Sequence, residues 1–154
     1  MQKSLRNGAH DGRVLRGPVA EADAATVYQH LIDNRTCGNR IIDLRVPYMG
    51  GIVPVCWIKC RPMDDRFASQ SAWARLATPN ELFNSDELRL ITQFCETVRL
   101  EYGEVDVLRD VQSDSIYIVD VNPTPYPLTK GINPDEWARA VRQMATKFQE
   151  VFLS

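Results

Sequence analysis

At 154 residues, with 44% apolar and 25% charged side chains and a formal net charge of −2, the chain has the make-up of one ordinary globular domain. Nearly balanced charge excludes the basic footprint of a nucleic-acid binder, and no stretch approaches the ~18 apolar residues of a membrane span. Residues 1–12 lack the apolar core of a secretory leader, so a cytoplasmic setting is expected, with Cys37, Cys56, Cys60 and Cys95 as reduced thiols whose spacing does not suit zinc.

Residues 1–18 are polar and basic, and Asn7-Gly8 and Asp11-Gly12 are turn signals, so a flexible start is one reading. Residues 26–32, TVYQHLI, are β-branched and aromatic and predict a strand ending at Asp33-Asn34. RIIDLRVP (40–47) and IVPVCWIK (52–59) predict two strands joined around Gly50-Gly51, a hairpin signal. Pro54 places the second of them at a sheet edge. Asp43 and Arg45, two apart, share a strand face and are expected to pair at the surface. Lys59, Arg61 and Arg66 form a basic cluster at the following strand end, where an arginine is partly exposed and its loss costs the fold little.

Residues 67–84 read as a loop anchored by Trp73 and Leu76. A helix is predicted over 86–101, capped by Asn84 or Ser85 with Glu87, its buried face formed by Leu88, Ile91, Cys95, Val98 and Tyr102. Gly103 ends it. Two alternating runs, 105–108 and 116–121, then flank the polar turn 110–115 and predict a β-hairpin. Asp120 and Asn122 face one side, and antiparallel pairing can bring Asp106 opposite them. Such residues are either solvated carboxylates on a polar strand face or hard oxygen ligands of the kind Mg²⁺ takes alongside phosphates. The prolines of PTPYP turn the chain away, and Asn133-Pro134-Asp135-Glu136 starts a last helix, with Trp137, Val141, Met144, Phe148 and Phe152 as its core stripe.

The wording VDVLRD…IYIVDVNPTP resembles the metal-binding hairpin of the ATP-grasp superfamily, which includes D-Ala–D-Ala ligase, glutathione synthetase and the ribosomal S6 modification enzymes. Asp106, Asp120 and Asn122 fall on its three metal positions, although the middle ligand there is usually Glu, one methylene longer than Asp120. The resemblance spans residues about 26–125 and extends loosely over 1–18. It implies an α+β fold, an antiparallel sheet with packed helices similar to the ATP-grasp C-terminal lobe. The whole chain, 1–154, is then one partial domain: 1–25 a remnant of the nucleotide-covering lobe, whose remainder is missing, and 26–154 the large lobe. Lys3 with Gly8 and Gly12 fits the strand and phosphate loop of that covering lobe. Main-chain groups of Gln29, His30, Leu31 and Ile32 would hold the adenine edge. Arg61 first and Lys59 second would meet the phosphates, since an arginine fork binds two oxygens at once. Arg45, in D-L-R, would alternatively reach substrate, with Thr124 and Lys130 beside the acceptor.

The activity so implied is an ATP- and Mg²⁺-dependent joining of a small-molecule carboxylate to an amine or thiol through an acyl phosphate. The alternative is a non-catalytic remnant or fragment serving as a nucleotide- or partner-binding module. The missing N-terminal half or a second copy of the chain would be its protein partner, with no nucleic acid and no membrane.

Overall fold

The computed structural model describes residues 1–6, 9, 11–19, 21–67, 71–125 and 131–154. Among these the architecture is α+β, with antiparallel strand pairing and three α-helices. Its centre is a sheet in the order β6-β5-β4-β7-β8, with a short β3 beside β4. The strands are β3 (Arg35–Thr36), β4 (Arg40–Met49), β5 (Cys56–Pro62), β6 (Trp73–Ala77), β7 (Tyr102–Arg109) and β8 (Ile116–Asn122). A separate pair, β1 (Gln2–Ser4) with β2 (Thr26–Tyr28), joins residues on both sides of position 25.

The expected hairpins form, with instructive differences. After β4, Gly50 turns with φ +57, a left-handed conformation that glycine adopts without a Cβ penalty. Ile52 bridges only to Tyr48, and β5 starts later than expected, at Cys56. Pro54 therefore lies in the irregular stretch before the strand, and β5 is interior, between β4 and β6. The segment expected as a loop contains β6, the inner alternation of WARLA, which pairs with β5. The strand expected over 26–32 stops at Tyr28.

Alternation gives the sheet two unlike faces. On one, Leu44, Val46, Tyr48, Cys56, Val105 and Val107 pack with Ile91 and Cys95 of α2 (Ser85–Thr97) and with Phe83. α2 begins where its capping signal lies: the Asn84 side chain accepts from the Glu87 N–H, and Glu87 reaches back to the Asn84 N–H. The helix ends earlier than its apolar spacing suggests. Val98 is exposed, and Tyr102 belongs to β7. Arg109 ties α2 to the hairpin, donating to both Glu87 oxygens (2.7 and 2.9 Å) and to the Leu82 carbonyl at the end of α1 (Pro79–Leu82).

The other face carries α3 (Pro134–Phe152), packed over its β5–β6 side and against the end of β4. There Trp57, Val55, Ala74 and Leu76 pack against Ala140, Trp137 and Met144, with the Trp57 and Trp137 rings 5.9 Å apart. Of the predicted α3 stripe only Trp137 and Met144 pack on this core. Val141, Phe148 and Phe152 are exposed, with Phe148 edge-on to Tyr102. What α3 leaves uncovered on this face is a row of charged side chains. No helix among the described residues is long and apolar enough to cross a membrane.

Candidate functional site: a charged row on the sheet

The strand register builds the row. Asp106 of β7 is paired with Arg45 of β4 on one side and with Asp120 of β8 on the other. Glu104 is paired with Asn122, and Asp43 with Lys59. Arg61 lies two residues beyond Lys59 and so on the same face. A bulge in the β7–β8 pairing follows Asp106, so the apolar pairs beyond it still face the α2 core. Asp120 and Asn122 share one face, as the alternation predicts, and the bulge brings Asp106 to the same face; directly opposed residues have Cβ atoms about 4.5–5.5 Å apart.

Asp106 is the hub. Lys59 Nζ donates to both its oxygens, at 2.9 and 2.8 Å. Arg45 donates from Nε and Nη2, at 3.0 and 3.4 Å. Lys59 is 4% exposed, so its ammonium is taken from water and depends on this carboxylate. Burial works against an ionised Asp106, but Lys59 and Arg45 outweigh it and bring the carboxyl down to about 2. Burial also lowers the Lys59 ammonium, with Asp106 acting to hold its proton.

The neighbouring carboxylates are less well served. Glu104 Oε2 lies 3.2 Å from Arg45 Nη1 but is buried without a hydrogen bond. Burial pushes the Glu104 carboxyl up, and the charge of Asp106 adds to that. Asp120 forms no ion pair with a described residue. Its carboxyl is raised by burial and then by Asp106, while Lys3 of β1, Lys59 and Arg45 pull it down. Asn122 turns its Oδ1 to the Thr124 N–H at 3.1 Å, which leaves one lone pair of that oxygen for another partner.

Arg45 and Asp43 share a face but do not pair with each other. Arg45 turns to β7, as above, and Asp43 pairs with Arg61 of β5. Asn34 donates a second bond to Asp43, at 3.0 Å, and one to the Ile42 carbonyl, at 2.7 Å. Asp43 and Asn34 are buried. Arg61 is therefore no strand-end arginine waving in solvent: its side chain is 16% exposed and partners a buried carboxylate. Arg66 leaves the basic cluster and donates to the Ile32 carbonyl at 3.3 Å.

The segment expected to hold an adenine edge has several main-chain groups already in use. The Gln29 N–H donates to the Met1 carbonyl at 2.9 Å, and the Gln29 carbonyl accepts from the Met1 nitrogen at 2.6 Å. The Ile32 carbonyl accepts from Arg66 and from the Asn34 N–H. His30 is exposed, Leu31 is half-buried and the Ile32 side chain is core. Gly12 is packed so close to Phe67 that a Cβ there would clash with the ring. Gly8 and Lys130 lie outside the described residues.

Sequence reasoning missed Glu104, Asp43 and Asn34 as members of the site. Glu104 was within reach, being two residues before Asp106 and so on its face. Asn34 and the Arg61–Asp43 pair carried no such signal, since both depend on long-range pairing.

Two carboxylates and an amide oxygen on neighbouring strands are a donor set suited to Mg²⁺. Asp106 and Asp120, directly opposed, fit that use, with the Asp106 oxygens currently shared by Lys59 and Arg45. Among the described residues no three His, Cys, Asp or Glu side chains converge into a ready-made metal centre. The chain matches no protein-family model and no curated protein.

Proposed function

We propose that the charged row binds a nucleoside triphosphate with Mg²⁺ and that the chain is an ATP-grasp-like large lobe of carboxylate–amine or carboxylate–thiol ligase type. The observation that carries this reading is the register setting Asp106 opposite Asp120 beside Lys59 and Arg61. Asp120, Asp106 and Asn122 would hold the metal, which when bound neutralises charge on the phosphate oxygens.

The chain's own groups do the rest. Lys59 and Arg61 offer a cation pair along β5 for the phosphates. Arg45 grips Asp106 with two donors and fixes its orientation. Lys3, on β1, brings positive charge toward Asp120 from outside the main sheet. In residues 29–32, where Gln29 and the Ile32 carbonyl are already engaged, the main-chain groups of His30 and Leu31 would take the base. In this reading a substrate carboxylate attacks the γ-phosphate, ADP departs, and an amine or thiol displaces phosphate from the acyl phosphate. The work asked of the protein is positioning and charge stabilisation.

One observation favours a second reading, a binding module without turnover. Asp106 is already engaged by two cations, and Asp120 is a short side chain for a bridging role. Calorimetric titration of ATP with and without Mg²⁺ tests what the readings share. Binding that strengthens with Mg²⁺ and weakens on Asp120→Ala is expected; no binding in either condition overturns both. ADP release in the presence of carboxylate and amine substrates then separates them.

A further inference from the structure

Asp106 holds more positive charge than one carboxylate needs. Lys59 contacts both of its oxygens and so does Arg45. Arg45 has a second carboxylate within 4 Å, Glu104. Among the described residues Lys59 has Asp106 alone as an ion-pair partner, and it is 4% exposed. It therefore cannot leave Asp106 for water without stranding a buried charge. Opposite Asp106 on β8 stands Asp120, which forms no ion pair with a described residue. A divalent cation shared by Asp106 and Asp120 would face the Lys59 ammonium at close range, and the two repel.

A lysine is a flexible point charge with three donors, so it can exchange one oxyanion for another. A phosphate oxygen arriving over β5 would give Lys59 that alternative. Resting on the nucleotide-binding reading above, we infer that Lys59 is an exchangeable counter-ion: it occupies Asp106 in the empty site and passes to phosphate when nucleotide arrives, so that the metal is admitted only with its nucleotide. Lys59 then lowers affinity for metal alone and raises affinity for phosphate alone. The coupling is reciprocal, as binding linkage requires. Asp43, Arg45, Arg61, Glu104 and Asp120 are the charged neighbours that share this face, and Lys3 approaches from β1.

The test uses the full chain, with Mn²⁺ followed by electron paramagnetic resonance as the metal alone, and ATP in EDTA followed by calorimetry as the phosphate alone. Lys59→Met keeps the length of the stem and removes the charge. We expect it to bind Mn²⁺ at least about tenfold more tightly than wild type and metal-free ATP about tenfold more weakly. A structural role moves both affinities the same way, so Mn²⁺ binding that is unchanged or weakened overturns the inference. Lys59→Gln serves if the methionine variant does not fold. Should neither fold, wild type decides: its Mn²⁺ affinity rises at least about threefold when sulfate replaces chloride at equal ionic strength, and an unchanged value overturns the exchange. Magnesium-dependent ATP binding that persists while Lys59→Met leaves Mn²⁺ affinity unchanged removes the exchange alone; loss of all ATP binding in wild type removes the underlying reading.

Discussion

The two faces of the central sheet are made by the same strands and obey opposite rules. Under α2, Leu44, Val46 and Tyr48 of β4 and Val105 and Val107 of β7 are buried and carry no charge, and their burial stabilises the contact at roughly 25 cal/mol per Å². On the other face, β4, β5 and β7 turn Asp43, Arg45, Lys59, Arg61, Glu104 and Asp106 to one side, where each charge is tolerable only through its partner. The first face could be repacked with other apolar residues; the second breaks when one member is removed. A fold that needed only stability would have no use for such a row, which is why the second face is where binding is sought.

The comparison breaks most sharply at Asp106. Asp106→Ala leaves the Lys59 ammonium buried without a carboxylate, and a loss of about 3–5 kcal/mol in denaturant unfolding is expected. Asp106→Leu combined with Lys59→Met should recover most of it, because the buried pair is replaced by apolar volume. A single-variant loss under about 1 kcal/mol would mean that water already reaches the row.

On the α2 face, Ile91→Ala should cost about 3 kcal/mol, the usual range for such a cavity being about 2–5. ATP affinity at a temperature where the variant is folded should stay within about twofold of wild type. A coupled loss of affinity would show that the two faces are not independent.

Arg61→Ala sharpens the contrast from the charged side. It strands Asp43, which keeps the Asn34 amide as a donor, so a somewhat smaller loss of about 2–3 kcal/mol is expected in a thermal or denaturant melt. Loss of a phosphate contact should also weaken ATP about ten- to a hundredfold, with Arg61→Lys recovering part of it. Arg45→Ala losing affinity while Arg61→Ala does not would move the phosphate contact to β4.

These assignments show what local sequence could and could not carry. The Asn84–Glu87 cap, the Asn133-Pro134 start of α3 and the pairing of β7 with β8 across one turn are local: each is written within a few residues of itself. Asp106 opposite Asp120 needs more than alternation plus one turn: continuing the Val107–Ile118 register would set Asp106 opposite Val119, and the bulge after Asp106 brings Asp120 there instead. The partners of Arg45 are not local either, because Asp106 is 61 residues away and reaches it only through the β4–β7 pairing. Asp43, two residues along the same face, was the partner local reasoning offered. The interior place of β5 was hidden by Pro54, which reads as an edge signal but falls before the strand, and β6 was hidden in a stretch dominated by loop-like residues. The shortening of the 26–32 strand is tertiary as well: past Tyr28, Met1 takes up Gln29, and Arg66 takes up Ile32.

The smallest effect expected is the one that best separates stability from binding, and it lies at Asp120. The Glu104 and Asp120 carboxyls are raised in the folded state, first by burial and then by the charge of Asp106. A raised carboxyl destabilises the fold above its folded pKa, and acidification through that value relieves the cost. Asp106 runs the other way. Its carboxyl is brought down to about 2, so its contribution is complete above the unfolded value of 3.8 and is lost as pH falls from there toward 2. Wild-type stability should therefore rise slightly on acidification from neutral pH and then fall below about pH 4. Asp120→Asn removes one of the two raised groups. Because Asp120 is exposed, solvent screens the effect: the gain at pH 7 should stay under about 1 kcal/mol, and the acid-side rise should shrink. The same change replaces a charged metal ligand with a neutral one, so the Mg²⁺-dependent part of ATP affinity should fall even as the melting temperature edges up. A variant less stable than wild type at pH 7 would show that Asp120 has a counter-charge that satisfies it in the fold. Unchanged Mg²⁺ dependence would take Asp120 out of the metal site and leave the charged row as a phosphate-binding surface alone.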